Sequence, residues 1–362
     1  TGLTDALAYL FNQYHVKPDA AVNGQIDRAG LSPVFERELA RLVTTLADAA
    51  QLASRAIADL SAEEVSLLTQ QPQRYLYPDG LTFNFLTAPT HTQTKLLAIA
   101  QKIDFTMMYT AAALVTSAVD DFISNLPNGS GPGQYFQDGK SREGFLLDIP
   151  TPLGSIILAG PGKDIHMRTG ALIVDLGGND TYHSRGIVEP PGLVPVSVIV
   201  DLEGNDVHGS KGDRAVQGFG NLSVGLLVDR QGDDRYQAGD MAQGCGLYGV
   251  GILADYEGND HYEMGVMGQG FGLFGVGVLL DRRGSDRYTV TGLGQGAATT
   301  MAAGILCDAD GSDRYLADRN RRRGQLPPDD WSHAQGVGLS VRSPDWGRQA
   351  SLYGGIGFLS DG

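Results

Sequence analysis

The stretch GVLLDRRGSDRY, residues 277–288, is written again and again along this chain at a nearly fixed interval. GLLVDRQGDDRY ends at 236, GILADYEGNDHY at 262 and GILCDADGSDRY at 315. The shared pattern is Asp-x-x-Gly-x-Asp-x-aromatic. Its leading aspartates are Asp175, Asp201, Asp229, Asp255, Asp281 and Asp308, spaced by 26, 28, 26, 26 and 27 residues. The glycines are Gly178, Gly204, Gly232, Gly258, Gly284 and Gly311, and the second aspartates are Asp180, Asp206, Asp234, Asp260, Asp286 and Asp313. Tyr182, Tyr236, Tyr262, Tyr288 and Tyr315 close the motif, with His208 standing in once. A degenerate earlier copy, AGPGKDIH, keeps Gly162, Asp164 and His166 but has Ala159 in the first-aspartate position.

A second column runs in step. Gln217, Gln243, Gln269 and Gln295 are 26 residues apart, each followed by glycine, and Gln335 continues the series after a loop. Repeats of this length mean a solenoid or a propeller, and a propeller blade usually takes about 40 residues or more. A 26-residue period therefore suits one turn of a parallel β-helix or β-roll, with equivalent positions stacked about 4.8 Å apart. In such a coil Val276, Val278 and Leu280 are expected to point inward. Gly270, Gly272, Gly275 and Gly277 would leave room at bends and close contacts. The tyrosines become a stacked column and the glutamines an amide ladder, both structural.

The first part of the chain reads differently. Nine glycines fall in residues 1–150 and forty-one in 151–362. Ser32 and Pro33 start a helix, and Phe35, Leu39, Leu42, Val43, Leu46, Ala50, Ala53, Ile57 and Leu60 recur at helical spacing. Ser61 and Glu64 form a capping-box pair for a short successor. Leu96, Ile99, Ile103, Met107, Leu114, Val115, Ala118 and Phe122 mark a second long helix. The expected fold is α + β: an α-helical cap or docking domain over 1–146, then a parallel β-solenoid over 147–362 with insertions at about 317–332 and 340–352.

Stacking gives the aspartates their chemical interest. Of the 26 acidic residues after position 150, 14 belong to the two columns once Asp164 and Asp361 are counted. Carboxylates about 5 Å from their own copies repel and raise one another's pKa, so something must neutralise them. One solution is local: turn amides bond the oxygens, and Arg235, Arg287 and Arg314 offset charge at the surface. The other is Ca²⁺, which takes six to eight oxygens from carboxylates and backbone carbonyls, with glycine where the loop turns sharply. Magnesium fits less well, since it prefers few protein ligands and retains water.

DLGGNDTY and DYEGNDHY resemble the calcium-binding nonapeptide of the repeats-in-toxin family, Gly-Gly-x-Gly-x-Asp-x-apolar-x, which builds a parallel β-roll around rows of Ca²⁺. The likeness covers Gly178 to Tyr182 and its equivalents, about five residues per coil. This chain departs from that pattern in its 26-residue period and in carrying aspartate in place of the first glycine. The resemblance implies several calcium ions held by the second aspartates and the glycine carbonyls. The leading aspartates join them on the stacking argument alone.

Loops on a rigid scaffold often carry function. The two insertions hold the only tryptophans, Trp331 and Trp346, with Arg321, Arg322, Asp329, Asp330 and His333 nearby. They are candidates for a glycan or protein-partner contact, or else pin their own loops. The net charge of −15 disfavours nucleic acid. The longest nearly apolar run, Met107 to Val119, falls short of the roughly 20 residues of a membrane span. Cys245 and Cys307 occupy different repeat positions, so a disulfide is not expected. The start at Thr1 fits an exported chain, secreted, periplasmic or at the cell surface. Gly362 falls one residue past Asp361, halfway through a motif, so the open solenoid end or the helical domain is expected to meet a protein partner or a second copy.

Three functions follow. The first is a non-enzymatic, exported calcium-binding solenoid serving as a surface, matrix or assembly component. The second is a polysaccharide lyase or hydrolase with its acid and base near the insertions. The third is a metal-free structural subunit of a larger complex.

Overall fold

The computed structural model describes residues 2–70, 91–127, 131–168, 170–183, 194–317, 334–338 and 355–362. Among the described residues six α-helices come first: α1 (Leu3–Gln13), α2 (Ala21–Ala29), α3 (Pro33–Ala56), α4 (Ala62–Gln70), α5 (His91–Ala100) and α6 (Phe105–Ser124). The Ser32 hydroxyl caps α3 by accepting from the Phe35 N–H, with Pro33 in the first turn. The capping box of α4 is reciprocal: Ser61 N–H donates to Glu64 Oε2 at 2.9 Å and Glu64 N–H to Ser61 Oγ at 3.2 Å.

The second long helix expected from the sequence is two. Asp104 breaks it by accepting the Met107 N–H at 3.1 Å as the N-cap of α6, while its own N–H bonds to Ala56 O. Leu96, Ile99 and Ile103 thereby pack in one apolar cluster and Met108, Val115 and Phe122 in another. The Met107–Val119 run is half-buried rather than a core helix, with Tyr109 and Leu114 exposed. No described helix is long and apolar enough to cross a membrane.

From β1 (Phe145–Thr151) and β2 (Gly154–Ala159), an antiparallel hairpin, the chain passes into a series of stacked coils. A nine-stranded sheet collects one strand per coil: Leu172–Asp175, Val196–Asp201, Val224–Asp229, Val250–Asp255, Val276–Asp281, Ala303–Asp308 and Ile356–Ser360 follow β2, all parallel. A seven-stranded sheet opposite it runs from Ile165–His166 to Arg314–Ala317, and shorter two- and three-stranded sheets complete the coil wall. Register is exact along the leading aspartates: Asp175 pairs with Asp201, then Asp229, Asp255, Asp281 and Asp308 in turn. Ala159 lies opposite Asp175, as the degenerate first repeat predicts. The aromatic column stacks with ring centroids 4.5 to 4.8 Å apart, from His166 through Tyr182, His208, Tyr236, Tyr262 and Tyr288 to Tyr315.

The facing of the long strands is the reverse of the expectation. Leu227, Leu253, Leu279 and Leu306 point into the lumen against Tyr236, Tyr262 and Tyr288. Val276 and Leu280 instead lie on the outer face, against the cluster that also takes in α1, α3 and α6 with Val198, Val200, Val224 and Leu226. Strand alternation forces this choice, because Asp281 must share the lumen with the tyrosine hydroxyls and Leu279 then lies on the same face. From Val196 to Asp255 the outer face stays apolar because helices rather than water cover it, whereas Ile356 and Phe358 on the last strand are exposed. Burying each such side chain contributes about 1.5–3 kcal/mol. The helical segment and the solenoid thus share one core, joined also by Asn221 Nδ2 donating to Leu68 O and Tyr256 O–H donating to Asp120.

The glutamines do not bond to one another. Gln243 Nε2 donates to the Tyr236 and Glu263 carbonyls at 3.1 and 3.4 Å, and Gln269 Nε2 to those of Tyr262 and Thr289 at 3.3 and 3.1 Å. Each glutamine is left-handed, with φ of 57°, 52°, 48°, 51° and 63° at Gln217, Gln243, Gln269, Gln295 and Gln335. An amide clamped between two coils offsets the cost of that backbone conformation. Cys245 and Cys307 are both free thiols.

Candidate metal centre

Each long strand ends on its leading aspartate, the chain turns through the glycine, and the second aspartate opens the strand of the opposite sheet. Both carboxylates therefore sit in the corner between the two large sheets, inside the coil. Asp175, Asp201, Asp229, Asp255 and Asp281 are 0 % exposed and Asp308 is 1 %; of the second aspartates only Asp313 is more than 3 % exposed.

One oxygen of each group is used by the scaffold. Asp206 Oδ1 accepts the Asp180 N–H, and the same bond recurs one coil on at 2.6 Å from Asp206 N–H to Asp234, Asp234 N–H to Asp260 and Asp260 N–H to Asp286. The leading aspartates accept from the aromatic column. Tyr236 O–H donates to Asp255 at 2.6 Å, Tyr262 O–H to Asp281 at 2.7 Å and Tyr288 O–H to Asp308 at 2.9 Å, while Tyr182 bonds Asp201 in the same way. His166 Nε2 takes this place against Asp175 at 2.7 Å and His208 Nε2 against Asp229 at 3.1 Å.

The other oxygen is left over. Oδ2 of Asp180, Asp206, Asp234, Asp260, Asp286 and Asp313 is buried without a hydrogen-bond partner, and so is Oδ1 of Asp229, Asp255, Asp281 and Asp308; only in Asp175 and Asp201 does the second oxygen also accept, from the N–H of Gly177 and of Glu203. Among the described residues no lysine or arginine pairs with either column. Arg235, Arg287 and Arg314, expected to offset charge locally, point outward and are exposed.

Burial without a counter-charge pushes these groups far from their usual range. Desolvation, followed by repulsion from Asp206 and Asp175, carries Asp201 well above an ordinary carboxylate, and Asp229 and Asp255 follow for the same reasons. Asp180 rises to about 7, Asp206 to about 8, Asp260 to about 9 and Asp286 to about 8, chiefly through desolvation. Backbone N–H donation pulls back only part of each rise. Burial lowers His208 to about 3, so its ring is neutral.

Among the described residues the side chains of the corner converge in five groups, each with its donor atoms within 4.8 Å: Asp175, Asp180 and Asp201; Asp206, His208 and Asp229; Asp229, Asp234 and Asp255; Asp260, Asp281 and Asp286; and Asp286, Asp308 and Asp313. All twelve aspartates of the six full motifs enter at least one group, while Asp164 and Asp361 enter none. The motif glycines form the floor. A Cβ on Gly258 would lie 1.7 Å from Gly232 O and 2.7 Å from Asp260 Oδ1, and one on Gly284 1.9 Å from Gly258 O and 2.7 Å from Asp286 Oδ1. Gly178, Gly204, Gly232 and Gly311 are closed in the same way. Four of the groups offer oxygen donors alone, which fits a hard cation such as Ca²⁺.

Two features escaped the sequence reading. His208 belongs to a donor group, and its signal was the one departure from tyrosine among the six full motifs. Asn179, Asn205, Asp233 and Asn259 form an outer ladder in which each Oδ1 accepts the N–H one coil on, at 2.8 to 3.1 Å. That ladder lay in the variable position between glycine and second aspartate. Trp331, Trp346, Arg321, Arg322, Asp329, Asp330 and His333 lie outside the described residues, as do most of the two insertions. No protein-family model, curated protein or solved structure matches the chain, so the likeness to repeats-in-toxin proteins rests on the turn motif alone.

Proposed function

We propose that the aspartate corner binds a file of calcium ions and that the protein is a non-enzymatic, exported scaffold, a surface, matrix or assembly component whose rigidity depends on that file. The observation that carries this reading is a buried row of carboxylates, ten of the twelve with an unpartnered oxygen and none, among the described residues, paired with a lysine or arginine. An uncompensated buried charge costs several kcal/mol, and a divalent cation shared between coils removes that cost at many positions together. The oxygen-only donor groups, the glycine floor and the likeness of DLGGNDTY to the calcium nonapeptide support the choice of calcium.

Metal that binds the folded chain alone stabilises it by about 2.7 kcal/mol per site at a hundredfold excess over Kd. Thermal unfolding in millimolar calcium and in excess EGTA is therefore expected to differ by many degrees. Equal melting temperatures would reject the reading.

The hydrogen bonds from the tyrosines and from the turn amides favour a second reading, a metal-free structural subunit in which protons neutralise the corner. EGTA is then without effect, and alkaline pH alone loosens the solenoid.

A further inference from the structure

We propose that the group formed by Asp206, His208 and Asp229 holds a borderline first-row divalent cation, for which zinc is the probe, within a file whose remaining positions take calcium. This inference rests on the reading of the corner as a cation file and adds which cation one position selects. Five coils present a tyrosine hydroxyl to the leading aspartates, and at 208 an imidazole stands there instead. All three side chains are buried, at 1, 0 and 0 % exposure, with their donor atoms within 4.8 Å of one another. Each also carries a buried atom without a hydrogen-bond partner: Asp206 Oδ2, Asp229 Oδ1 and His208 Nδ1. His166 occupies the same column and touches Asp175, yet joins no such group among the described residues.

The donor set decides the metal. Calcium prefers oxygen throughout, whereas a neutral imidazole suits zinc, copper, iron and nickel. Zinc binds histidine nitrogen and aspartate oxygen in a four-coordinate shell, so one imidazole and two carboxylates can supply three of its ligands. Because the group is sealed inside the coil, the ion there is structural, tying the coil of Asp206 to that of Asp229.

The test compares the full chain with its His208→Tyr variant, which restores the side chain used in the neighbouring coils. Each is loaded with zinc in millimolar calcium, dialysed against calcium, and its metals counted by elemental analysis. The wild type is expected to retain a single zinc per chain, and the variant to hold zinc at least about tenfold more weakly with its calcium count unchanged or raised by one. Equal zinc retention in the two proteins, or complete displacement of the wild-type zinc by calcium, would overturn the inference. If the variant does not fold, zinc-edge anomalous diffraction from wild-type crystals decides: a peak beside His208 supports the site, and peaks only at surface histidines refute it. Calcium binding without retained zinc removes this inference alone; zinc at His208 without calcium anywhere removes the calcium reading alone; failure of both ions removes both.

Discussion

A buried aspartate with one oxygen engaged and the other free has two ways to become neutral, and they differ in what they leave behind. A proton satisfies a single carboxyl, whereas a cation satisfies several and links coils. Asp260 separates the two. In Asp260→Asn the side-chain oxygen still accepts the Asp234 N–H, now without charge. Metal-free stability is expected to hold or rise, since a costly buried carboxylate is gone. The stabilisation gained from calcium is expected to shrink by about 2–3 kcal/mol, one site's share; melting curves with calcium and with EGTA read both. The same groups set the pH dependence of the metal-free chain. Asp180, Asp206, Asp234, Asp260, Asp281, Asp286 and Asp308 are raised from 3.8 to about 7, 8, 6, 9, 7, 8 and 6. Between those limits the folded chain binds more protons than the unfolded one, so stability is full below about pH 4 and is lost as pH rises through about 6 to 9. In EGTA the melting temperature should be higher at about pH 5 than at about pH 9. With calcium bound the slope should flatten or reverse, because protons then compete with the ion.

At the level of the coil, the glutamine turn is the tightest constraint. Gln269 has φ 48° and Gly270 φ 76°, two left-handed residues in succession, held by amide donation to two carbonyls. Gln269→Ala keeps the left-handed backbone with a Cβ and loses both bonds, so a loss of about 1–3 kcal/mol in denaturant unfolding is expected. A change below about 0.5 kcal/mol would show that the turn holds itself. The sequence disclosed the coil because Asp281, Tyr288 and Gln295 repeat in step, and identical residues at one period can only stack. It did not disclose which face of Val276–Asp281 turns inward, because helices cover the outside and both faces are apolar. Nor did it disclose the target of Gln243 Nε2, since a column of amides is consistent with bonding to itself or to the main chain. The break at Asp104 was hidden because Ile99, Ile103 and Met107 keep helical spacing across it. Of the corner, the twelve aspartates and six glycines were readable, while the outer ladder through Asn205 and Asp233 was not, because its residue type varies.

Across the whole molecule, the helices act as a lateral cover for the solenoid. Phe35, Leu39 and Val115 share a core with Val198, Leu226 and also Leu147 and Ile149, so the change from helix to strand near residue 146 does not divide the interior. The negative charge has a corresponding order: a large part of it lies in one internal file rather than on the surface. That arrangement gives the chain a stack of coils whose spacing is set by its own backbone and whose buried carboxyl groups are neutralised by protons or by a cation. The most direct measurement is long-wavelength anomalous diffraction from crystals of the full chain grown in calcium. A row of calcium peaks along the aspartate corner, one coil apart at about 4.8 Å, is the predicted result. A corner without anomalous density, in crystals where the aspartates hold the same positions, would contradict the account.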